Sequence, residues 1–496
     1  MNQGSVLIGD LMRESGVGFG TSGARGLAED MTDAVCYAYT RGFLQYLRDS
    51  AGLPPGGEVG LAGDFRPSTS RILEACARAV RDSDCQPLHC GRIPSPAIAA
   101  FGLQQGIPTL MVTGSHIPDD RNGIKFNTAR GEILKEDEAG IREQRVEIPA
   151  HLFNDEGGLR ETGALPSVDT AATEAYAARY LDFLPSGILA GRRIGLYEHS
   201  TVAAAPFRRV LAALGAEVTR LGPSETFIPV DTEAIRPEDV ELARKWAAGG
   251  RFDAIVSADG DGDRPLVSDE RGEWLRGDVA GILCARFLKA DTVVAPVSCN
   301  TALEKSGWFP HTLRTRIGSP YVIAGMNEAL ADGRAPVVGY EANGGFLTAS
   351  AIERDGRSLP ALPTRDALIV VLAVLLLADH QPVSSLLGEL PPRYTASDRL
   401  KAFPTALSQA RIAALHSGDF EQDRTAIEAL FGADFGEVAA IDTTDGLRIT
   451  FASGEIAHLR PSGNAPELRA YTEADTPERA AAINRRCLEI LEGWRP

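Results

Sequence analysis

The stretch FDAIVSADGDGDRP, residues 252–265, contains three aspartates at alternate positions. Its first half is apolar and β-branched, which predicts a strand that ends at Ala258. Asp259, Asp261 and Asp263 follow with glycines between them. Two carboxylates about 4 Å apart repel each other by about 4 kcal/mol at an effective dielectric constant of about 20. Because the glycines let the backbone bend, the three side chains can face one point, and a hard divalent cation there (Mg²⁺, Mn²⁺ or Ca²⁺) would relieve the repulsion.

Two other kinds of site also carry closely spaced aspartates. An EF-hand that starts at Asp259 would have Glu270 at its twelfth position. It would also need a preceding helix, and glycine at the sixth position, where Arg264 stands. A phosphatase with an aspartyl nucleophile has two aspartates after a strand, which suits Asp259 and Asp261 better. A solvated acidic turn without a ligand is the simplest alternative.

A second stretch, MVTGSHIPDDRNGIKF (residues 111–126), presents Ser115 and His116 directly after an apolar run, with Lys125 ten residues after the serine. A hydrolase nucleophile would need Gly-x-Ser-x-Gly, and neither glycine is present. A phosphorylated serine carries about −1.5 to −2 charges and three acceptor oxygens, so Ser115 could become a ligand of the cation held by the aspartates. Lys125 would be a hydrogen-bond donor or a proton-transfer group. A plain loop or helix-capping serine and a structural histidine remain alternatives.

Three further glycine-containing stretches carry polar groups. RPSGNAPELRAY (residues 460–471) sets arginine, serine and asparagine around a glycine turn, which favours a phosphate cradle of backbone amides and a bidentate guanidinium. A surface turn that closes a hairpin is its alternative. In GYEANGGF (residues 339–346), Glu341 and Asn343 could bind sugar hydroxyls, although a plain turn is equally consistent. FGTSGARG near the N-terminus puts Arg25 on a glycine-rich loop.

The elements between these loops predict an α/β chain. Residues 58–91, 192–222 and 292–318 each read as strand, polar loop, helix and strand, and such alternation builds mostly parallel sheets whose carboxyl-end loops carry chemistry. The last hundred residues read as a strand meander with turns at 453–454 and 462–464. A helix follows, capped by Thr476 and Pro477, with the apolar residues Ile483, Cys487, Leu491 and Trp494 at helical spacing.

Composition narrows the class of protein. The 496 residues suggest three or four domains, and 44% hydrophobic with 24% charged residues is typical of a soluble globular chain. The N-terminus lacks the features of a secretory signal, and the apolar run 367–378 is too short to span a bilayer and predicts a buried helix. Seven cysteines without paired spacing indicate reduced thiols in the cytoplasm. A net charge of −17 argues against nucleic acid or a membrane surface as partners, but not against small anionic substrates.

Together these stretches resemble the α-D-phosphohexomutase family. FGTSGARG is similar to its amino-terminal signature, TGSHIP to its phosphoserine loop, DGDGDR to its metal loop, GYEANGG to its sugar loop and RPSGNAPELR to its phosphate loop. The five occur in the family's order over nearly the whole chain. The resemblance implies three related α/β domains and a smaller C-terminal α+β domain around a central cleft. We expect them at residues 1–165, 166–271, 272–388 and 389–496, with one loop from each.

The resemblance also implies a mechanism. Phosphorylated Ser115 would pass its phosphoryl group to a hexose monophosphate, and the resulting hexose 1,6-bisphosphate would turn over in the cleft and return the other phosphate. One Mg²⁺ would bind Asp259, Asp261, Asp263 and the phosphoserine. The implied catalytic residues beside Ser115 are Arg25, His116, Lys125 and Arg264. The implied substrate-binding residues are Gly339, Glu341 and Asn343 for the sugar, and Arg460, Ser462, Gly463, Asn464 and Arg469 for the phosphate that does not react.

The chain departs from the family pattern in three places. Asn343 replaces a serine, Gly345 replaces a histidine common in bacterial relatives, and Asn464-Ala465 replaces threonine-glutamate. If that histidine shares in proton transfer, His116 or Lys125 must take its role.

The phosphoserine and phosphate loops favour the phosphomannomutase branch, and therefore mannose 6-phosphate and mannose 1-phosphate as substrates. The glucose phosphates, or both sugars, are the alternative. Remoter alternatives are a Mg²⁺-dependent sugar phosphatase and a sugar-phosphate-binding protein without catalysis. We expect a monomer or a homodimer.

Overall fold

The computed structural model describes residues 4–20, 23–163, 165–462 and 466–495, and its strands form four main sheets and two short two-stranded pairs. The N-terminal part contains, in order, β1 (Ser5–Leu7), α1 (Ile8–Ser15), β2 (Gly18–Phe19), β3 (Gly23–Leu27), α2 (Asp33–Ala51), β4 (Glu58–Gly63), α3 (Thr69–Asp82), β5 (Gln86–Gly91), α4 (Ser95–Gln105), β6 (Thr109–Val112), β7 (Arg121–Thr128), β8 (Gly131–Glu132), α5 (Lys135–Arg142) and β9 (Arg145–Glu147). Its main sheet has the order β2-β3-β7-β6-β4-β5, with β8 against β7.

Two smaller sheets follow. The second part contains α6 (Ala171–Phe183), β10 (Arg193–His199), α7 (Ala204–Ala213), β11 (Glu217–Pro223), α8 (Pro237–Ala247), β12 (Ala254–Ala258) and β13 (Pro265–Val267). The third contains α9 (Gly277–Phe287), β14 (Thr292–Pro296), α10 (Ala302–Lys305), β15 (His311–Thr315), α11 (Ser319–Ala331), β16 (Val337–Tyr340), β17 (Phe346–Thr348), β18 (Ile352–Arg354), β19 (Arg357–Leu359) and α12 (Ala367–Leu377). Short 3₁₀ helices cover Ala150–Leu152 and Val383–Glu389.

One strand order recurs in all three parts, which confirms the predicted repeat. The orders are β5-β4-β6-β7, β11-β10-β12-β13 and β15-β14-β16-β17, with the last pair antiparallel each time and the others parallel. The hairpin loop before the final strand is therefore equivalent in each unit. Ser115, the three aspartates and Glu341 lie on these three loops, so a single repeated topology presents all of them.

The C-terminal part is an antiparallel sheet with helices, as predicted. It contains β20 (Tyr394–Leu400), α13 (Thr405–Ala413), α14 (Phe420–Phe435), β21 (Val438–Asp442), β22 (Leu447–Phe451), β23 (Ile456–Pro461), β24 (Leu468–Ala474) and α15 (Pro477–Glu492). The sheet order is β20-β24-β23-β22-β21. The Thr476 side chain accepts a hydrogen bond from the Arg479 amide and starts α15, whose Ile483, Cys487 and Leu491 are buried. The predicted turn at 462–464 lies partly outside the described residues.

The apolar core consists of several clusters. One joins the second and third parts to one face of the N-terminal sheet, through residues such as Ala62, Ile98 and Met111, and it includes most of α12, which is buried on all sides as its sequence predicts. Separate clusters fill the N-terminal and C-terminal parts. All seven cysteines are buried free thiols. Within the described ranges, none of the helices has the length and apolar character needed to cross a bilayer.

Candidate active site

Ser115 lies on the first hairpin loop, directly after β6, in an uncommon backbone conformation. Its φ is +58°, in the left-handed region that residues other than glycine seldom adopt. Its amide donates to Thr113 Oγ1 at 2.8 Å, and its Oγ donates to Asp259 Oδ2 at 2.6 Å. Only 2% of Ser115 is exposed. The serine and metal loops therefore meet at this hydroxyl, as the resemblance implies.

Glycines make that close approach possible. A Cβ at Gly260 would stand 2.8 Å from the Ser115 carbonyl oxygen, and Gly262 has φ +71°. A side chain at the first position would separate the two loops, and one at the second would be strained. The glycines between the aspartates thus serve contact between loops as well as the bend that the sequence predicts.

The three aspartates form a compact, buried cluster. Ligand oxygens of Asp259, Asp261 and Asp263 all lie within 4.8 Å of one another, and each residue is at most 1% exposed. Asp259 Oδ1 accepts hydrogen bonds from the amides of Asp263 and Arg264. Burial, and then the charges of Asp261 and Asp263, raise the pKa of Asp259 well above its usual range.

The donor set fits a hard divalent cation. Asp261 Oδ1 and Asp263 Oδ1 are buried without any hydrogen-bond partner among the described residues, and an unsatisfied buried carboxylate oxygen is costly unless a cation or donor meets it. Carboxylate oxygens are the ligands that Mg²⁺ prefers. The strand before the cluster, β12, and the absence of a leading helix also exclude the EF-hand alternative.

Lys125 belongs to the same cluster. It lies on β7, and its Nζ stands 2.5 Å from Asp261 Oδ2 and 2.6 Å from Asp263 Oδ2, with Ser95 Oγ at 3.2 Å. Burial alone would lower the pKa of Lys125, but the two carboxylates outweigh it and raise the pKa above its ordinary value. Lys125 is therefore a fixed cation that partly neutralises the aspartates.

Two arginines and His116 lie around the serine and the aspartates. Burial, and then the charge of Arg264, lower the pKa of Arg25 to about 10. His116 Nδ1 lies 3.3 Å from Ser115 Oγ. Burial, followed by the charges of Arg264 and Arg25, lowers the pKa of His116 to about 2, so its imidazole is uncharged. The structure thus brings four of the predicted catalytic residues, Arg25, His116, Arg264 and Lys125, to Ser115 and the aspartates.

The sugar-loop residues take two different positions. Glu341 and Asn343 lie on the loop between β16 and β17, where Asn343 Oδ1 accepts from the Gly345 amide and the Asn343 carbonyl accepts from Thr232 Oγ1. Gly339, in contrast, is inside β16, and a Cβ there would stand 2.5 Å from Val322 Cγ1. Its place in the sugar-binding set stays a prediction. Gly339 packs closely against α11, and strand β16 ends one residue later, at Tyr340, where the sugar loop begins.

The phosphate-loop residues are partly described. Arg460 Nε donates to Asp445 Oδ2 at 2.9 Å, the Ser462 amide donates to the Glu467 carbonyl at 2.8 Å, and Arg469 pairs with Glu467 at 3.3 Å. Gly463 and Asn464 lie outside the described residues. Arg460 and Arg469 stand opposite each other on β23 and β24, so the two strands carry a guanidinium on each side of this loop.

A cavity of about 420 Å³ lies between the serine loop, the metal loop and the C-terminal sheet. The residues that line it include His116, Glu233, Arg264, Arg399, Lys401 and Arg469. The Nε atoms of Arg264 and Arg469 are buried without a hydrogen-bond partner in the described part of the chain. A concave site of this size with unsatisfied guanidinium groups suits a small anionic ligand.

Sequence comparison decides the family. The family models described as Phosphoglucomutase/phosphomannomutase match residues 16–149 (alpha/beta/alpha domain I), 276–394 (alpha/beta/alpha domain III) and 416–490 (C-terminal domain). The chain belongs to this family. It is a phosphohexomutase with the four-domain α/β architecture. Members of the family use Mg²⁺ and a phosphoserine. The cluster of three aspartates is compatible with binding the Mg²⁺.

Individual relatives agree. A phosphomannomutase of Salmonella muenchen is 42% identical over 476 residues, covering 96% of this chain and 95% of the relative. One of Sinorhizobium fredii (strain NBRC 101917 / NGR234) is also 42% identical over 476 residues, covering 95% and 98%. A phosphoglucomutase/phosphomannomutase family protein of Burkholderia thailandensis shares the fold, with a TM-score of 0.72, 20% identity and coverage of 96% and 97%. Paramecium parafusin, a phosphoglucomutase in its open form, gives 0.68 at 17% identity, with 95% and 94% covered.

Two arginines in the site of this phosphohexomutase escaped the sequence analysis. Arg66, fully buried and ion-paired with Asp64, donates from Nη2 to the Ser115 carbonyl at 3.0 Å. Arg365 contacts Asp263 and Glu341. Both follow a predicted element boundary in ordinary polar loops, GDFRPS and LPTRDA. Neither the proline beside Arg66 nor the apolar run that follows Arg365 indicates a functional site, so the sequence pattern did not single out either arginine.

Proposed function

We propose that this phosphohexomutase interconverts mannose 6-phosphate and mannose 1-phosphate. The observation that carries the proposal is the contact of Ser115 Oγ with Asp259, 2.6 Å, beside a cavity whose lining arginines have unsatisfied nitrogens. A phosphoryl carrier, a cation site and an anion-binding cleft are thereby adjacent. Mannose is supported by the two 42%-identical relatives, both phosphomannomutases.

In the proposed reaction Ser115 Oγ carries a phosphoryl group. The bond from phosphorus to Oγ breaks as a bond forms to a hydroxyl oxygen of the bound hexose monophosphate, which gives the hexose 1,6-bisphosphate. After this intermediate turns over, the reverse transfer returns the other phosphoryl group to Ser115. The proton of the sugar hydroxyl ends on Ser115 Oγ as that oxygen leaves phosphorus, and we assign its relay to His116, whose Nδ1 lies 3.3 Å from Ser115 Oγ. Lys125 stays protonated and donates hydrogen bonds.

Charge stabilisation comes from several groups. Asp259, Asp261 and Asp263, together with the phosphoserine, would hold one Mg²⁺, which when bound supplies positive charge beside the transferring phosphoryl oxygens. Arg25 and Arg264 lie around the same point and would bind those oxygens directly. An anionic substrate is favoured locally even though the whole chain carries a charge of −17.

The rest of the substrate would be held by the two remaining loops. Glu341 accepts hydrogen bonds from the sugar hydroxyls, and the side-chain NH2 group of Asn343 donates to them. The phosphate that does not react binds at the C-terminal loop, through Arg460, Ser462, Gly463, Asn464 and Arg469. Bidentate guanidinium contacts are the strongest of these.

We also propose that the chain has domain boundaries near residues 165, 271 and 388, between the four sheets. We further propose that it works in the cytoplasm as a monomer or homodimer, on small sugar phosphates and without nucleic acid or membrane partners. Buried free cysteines and the acidic surface are consistent with this setting.

Phosphorus NMR tests the proposal. The purified protein is incubated with Mg²⁺, a trace of glucose 1,6-bisphosphate and either mannose 1-phosphate or glucose 1-phosphate. We expect the 6-phosphate to appear without free phosphate, faster from mannose. Faster conversion of glucose would reassign the substrate. Release of free phosphate would instead support the phosphatase alternative, and no reaction of any hexose phosphate would contradict the proposed function.

A further inference from the structure

Residues 364–366 form the entry to α12, and each side chain contacts a different part of the chain. Thr364 Oγ1 donates to Glu132 of β8. Asp366 caps α12 by accepting from the Leu368 amide at 3.1 Å, and also accepts from the hydroxyls of Tyr176 and Tyr180 on α6. The residue between them, Arg365, is therefore held at a fixed place by anchors on both sides.

The Arg365 side chain bridges two loops of the active site. Its Nη2 lies 3.1 Å from Asp263 Oδ2 on the metal loop, and its Nη1 lies 3.3 Å from Glu341 Oε2 on the sugar loop. Only 4% of Arg365 is exposed. A planar guanidinium can meet two carboxylates at once, which a lysine cannot do with the same geometry. Each loop thereby fixes the orientation of the other.

Space for this arginine exists because residue 345 is glycine. A Cβ at Gly345 would stand 2.5 Å from Arg365 Cδ and 2.7 Å from Cγ. Any side chain at position 345 would have to displace the stem of the arginine. Arg365, which precedes α12, thus occupies the volume in which a side chain at position 345 would lie.

We infer that Arg365 is a positioning residue that sets the orientation of Glu341 toward the sugar and ties it to the metal loop. The inference rests on the proposed function, since Glu341 is taken as a sugar ligand. If the histidine that relatives carry at position 345 shares in proton transfer, His116 or Lys125 would take over that role. The geometry assigns the space of that side chain to Arg365, while His116 and Lys125 stay on the serine side of the cleft.

A set of variants tests the inference. Arg365→Gln keeps most of the side-chain volume but removes the charge, and Gly345→Ala keeps the arginine but displaces its stem. Both should lower kcat/KM about 10- to 100-fold, a range typical for groups that orient a metal or substrate ligand. Arg365→Lys should recover part of the loss. The exposed Arg209, which pairs with Glu174 on the second part of the chain, provides the matched control Arg209→Gln.

A double-mutant cycle separates positioning from a purely structural role. If Arg365 acts through Glu341, the Arg365→Gln/Glu341→Gln protein should be no slower than the poorer single variant. Additive losses, or single variants with lowered melting temperature but unchanged kcat/KM, would overturn the role. If the wild type is active and Arg365→Gln and Gly345→Ala have the same kcat/KM as the wild type, this inference alone is overturned. A wild type that isomerises no hexose phosphate would overturn the proposed function and this role with it.

Discussion

Arg66 holds the main chain of Ser115 through a hydrogen bond from Nη2 to the serine carbonyl, at 3.0 Å. The same guanidinium donates to the Ile117 carbonyl and lies 4.1 Å from the centre of the Phe227 ring. Ser115 itself has φ +58°, a conformation that costs about 1–3 kcal/mol and persists only where the surroundings enforce it. Arg66, with Asp64 as its counter-ion, holds this conformation together with the hydrogen bonds of Ser115 to Thr113 and Asp259.

Replacement of Arg66 should therefore affect catalysis more than substrate binding. Arg66→Gln should lower kcat about 100-fold with little change in KM, since a displacement of reacting atoms by about 1 Å has an effect of that size. It should also destabilise the N-terminal part by about 3–5 kcal/mol, because Asp64 loses its buried partner. Steady-state kinetics and thermal melting measure both. Arg78→Gln, in a half-buried pair with Asp82 on α3, is the control, and an Arg66→Gln enzyme with normal kcat would refute the positioning argument.

Metal binding should be visible in stability as well as in activity. Removal of divalent cations with EDTA should abolish isomerisation, and Mg²⁺ should restore it. Mg²⁺ at about 100 times its Kd should stabilise the folded chain by about 2.7 kcal/mol. Asp261→Asn should lose that Mg²⁺-dependent rise in melting temperature, whereas the exposed Glu241→Gln on α8 should keep it. An equal rise in both variants would place the cation elsewhere.

Arg469 should contribute to substrate affinity. It lines the cavity with an unsatisfied Nε, so Arg469→Ala should remove a charge-assisted contact to phosphate, each of which contributes about 1.5–3 kcal/mol. We expect KM to rise at least about 10-fold, with a smaller change in kcat. Arg479 lies on α15 and forms an ion pair with Glu455 near the surface, so Arg479→Ala should leave both KM and kcat unchanged. An Arg469→Ala protein with normal KM would exclude this arginine from phosphate binding.

Stability should fall on the acidic side because of His458. Burial lowers the pKa of His458 to about 4, against about 6.5 in the unfolded chain. Between those values the unfolded state binds the proton and the folded state does not, so stability decreases as pH falls from about 6.5 to 4. At pH 5 the loss is about 2 kcal/mol. His458→Gln should show a smaller drop in melting temperature between pH 7.5 and pH 5 than the wild type, and an equal drop would contradict this assignment.

The loops could be predicted from sequence because their chemistry is local. Asp259, Asp261 and Asp263 stand within five residues, and the glycines beside them allow one convergence point. The repeated strand-loop-helix-strand order likewise predicted the three equivalent units. That Gly339 lies inside β16 could not be predicted, because the motif read as one loop includes the end of the preceding strand, which the sequence alone does not delimit.

The supporting arginines could not be predicted. Arg66 is 49 residues from Ser115 in the chain, and Arg365 is 102 residues from Asp263. Their roles depend on how separate sheets pack against each other, on the buried Asp64 and on the space above Gly345. None of these leaves a spacing pattern in the sequence, so only the packed structure reveals which of the chain's many arginines enter the site.

The most direct test of the account is the phosphorylation of Ser115. The wild type and Ser115→Ala are incubated with glucose 1,6-bisphosphate and Mg²⁺. The intact mass and a peptide map of one portion locate any phosphoryl group, and a second portion is mixed with mannose 6-phosphate. We predict one phosphoryl group on Ser115 of the wild type, its discharge to the sugar at least as fast as kcat, and neither phosphorylation nor isomerisation in the variant. A wild type that turns over without phosphate on Ser115, or a Ser115→Ala protein that isomerises at the wild-type rate, would contradict the account at its centre.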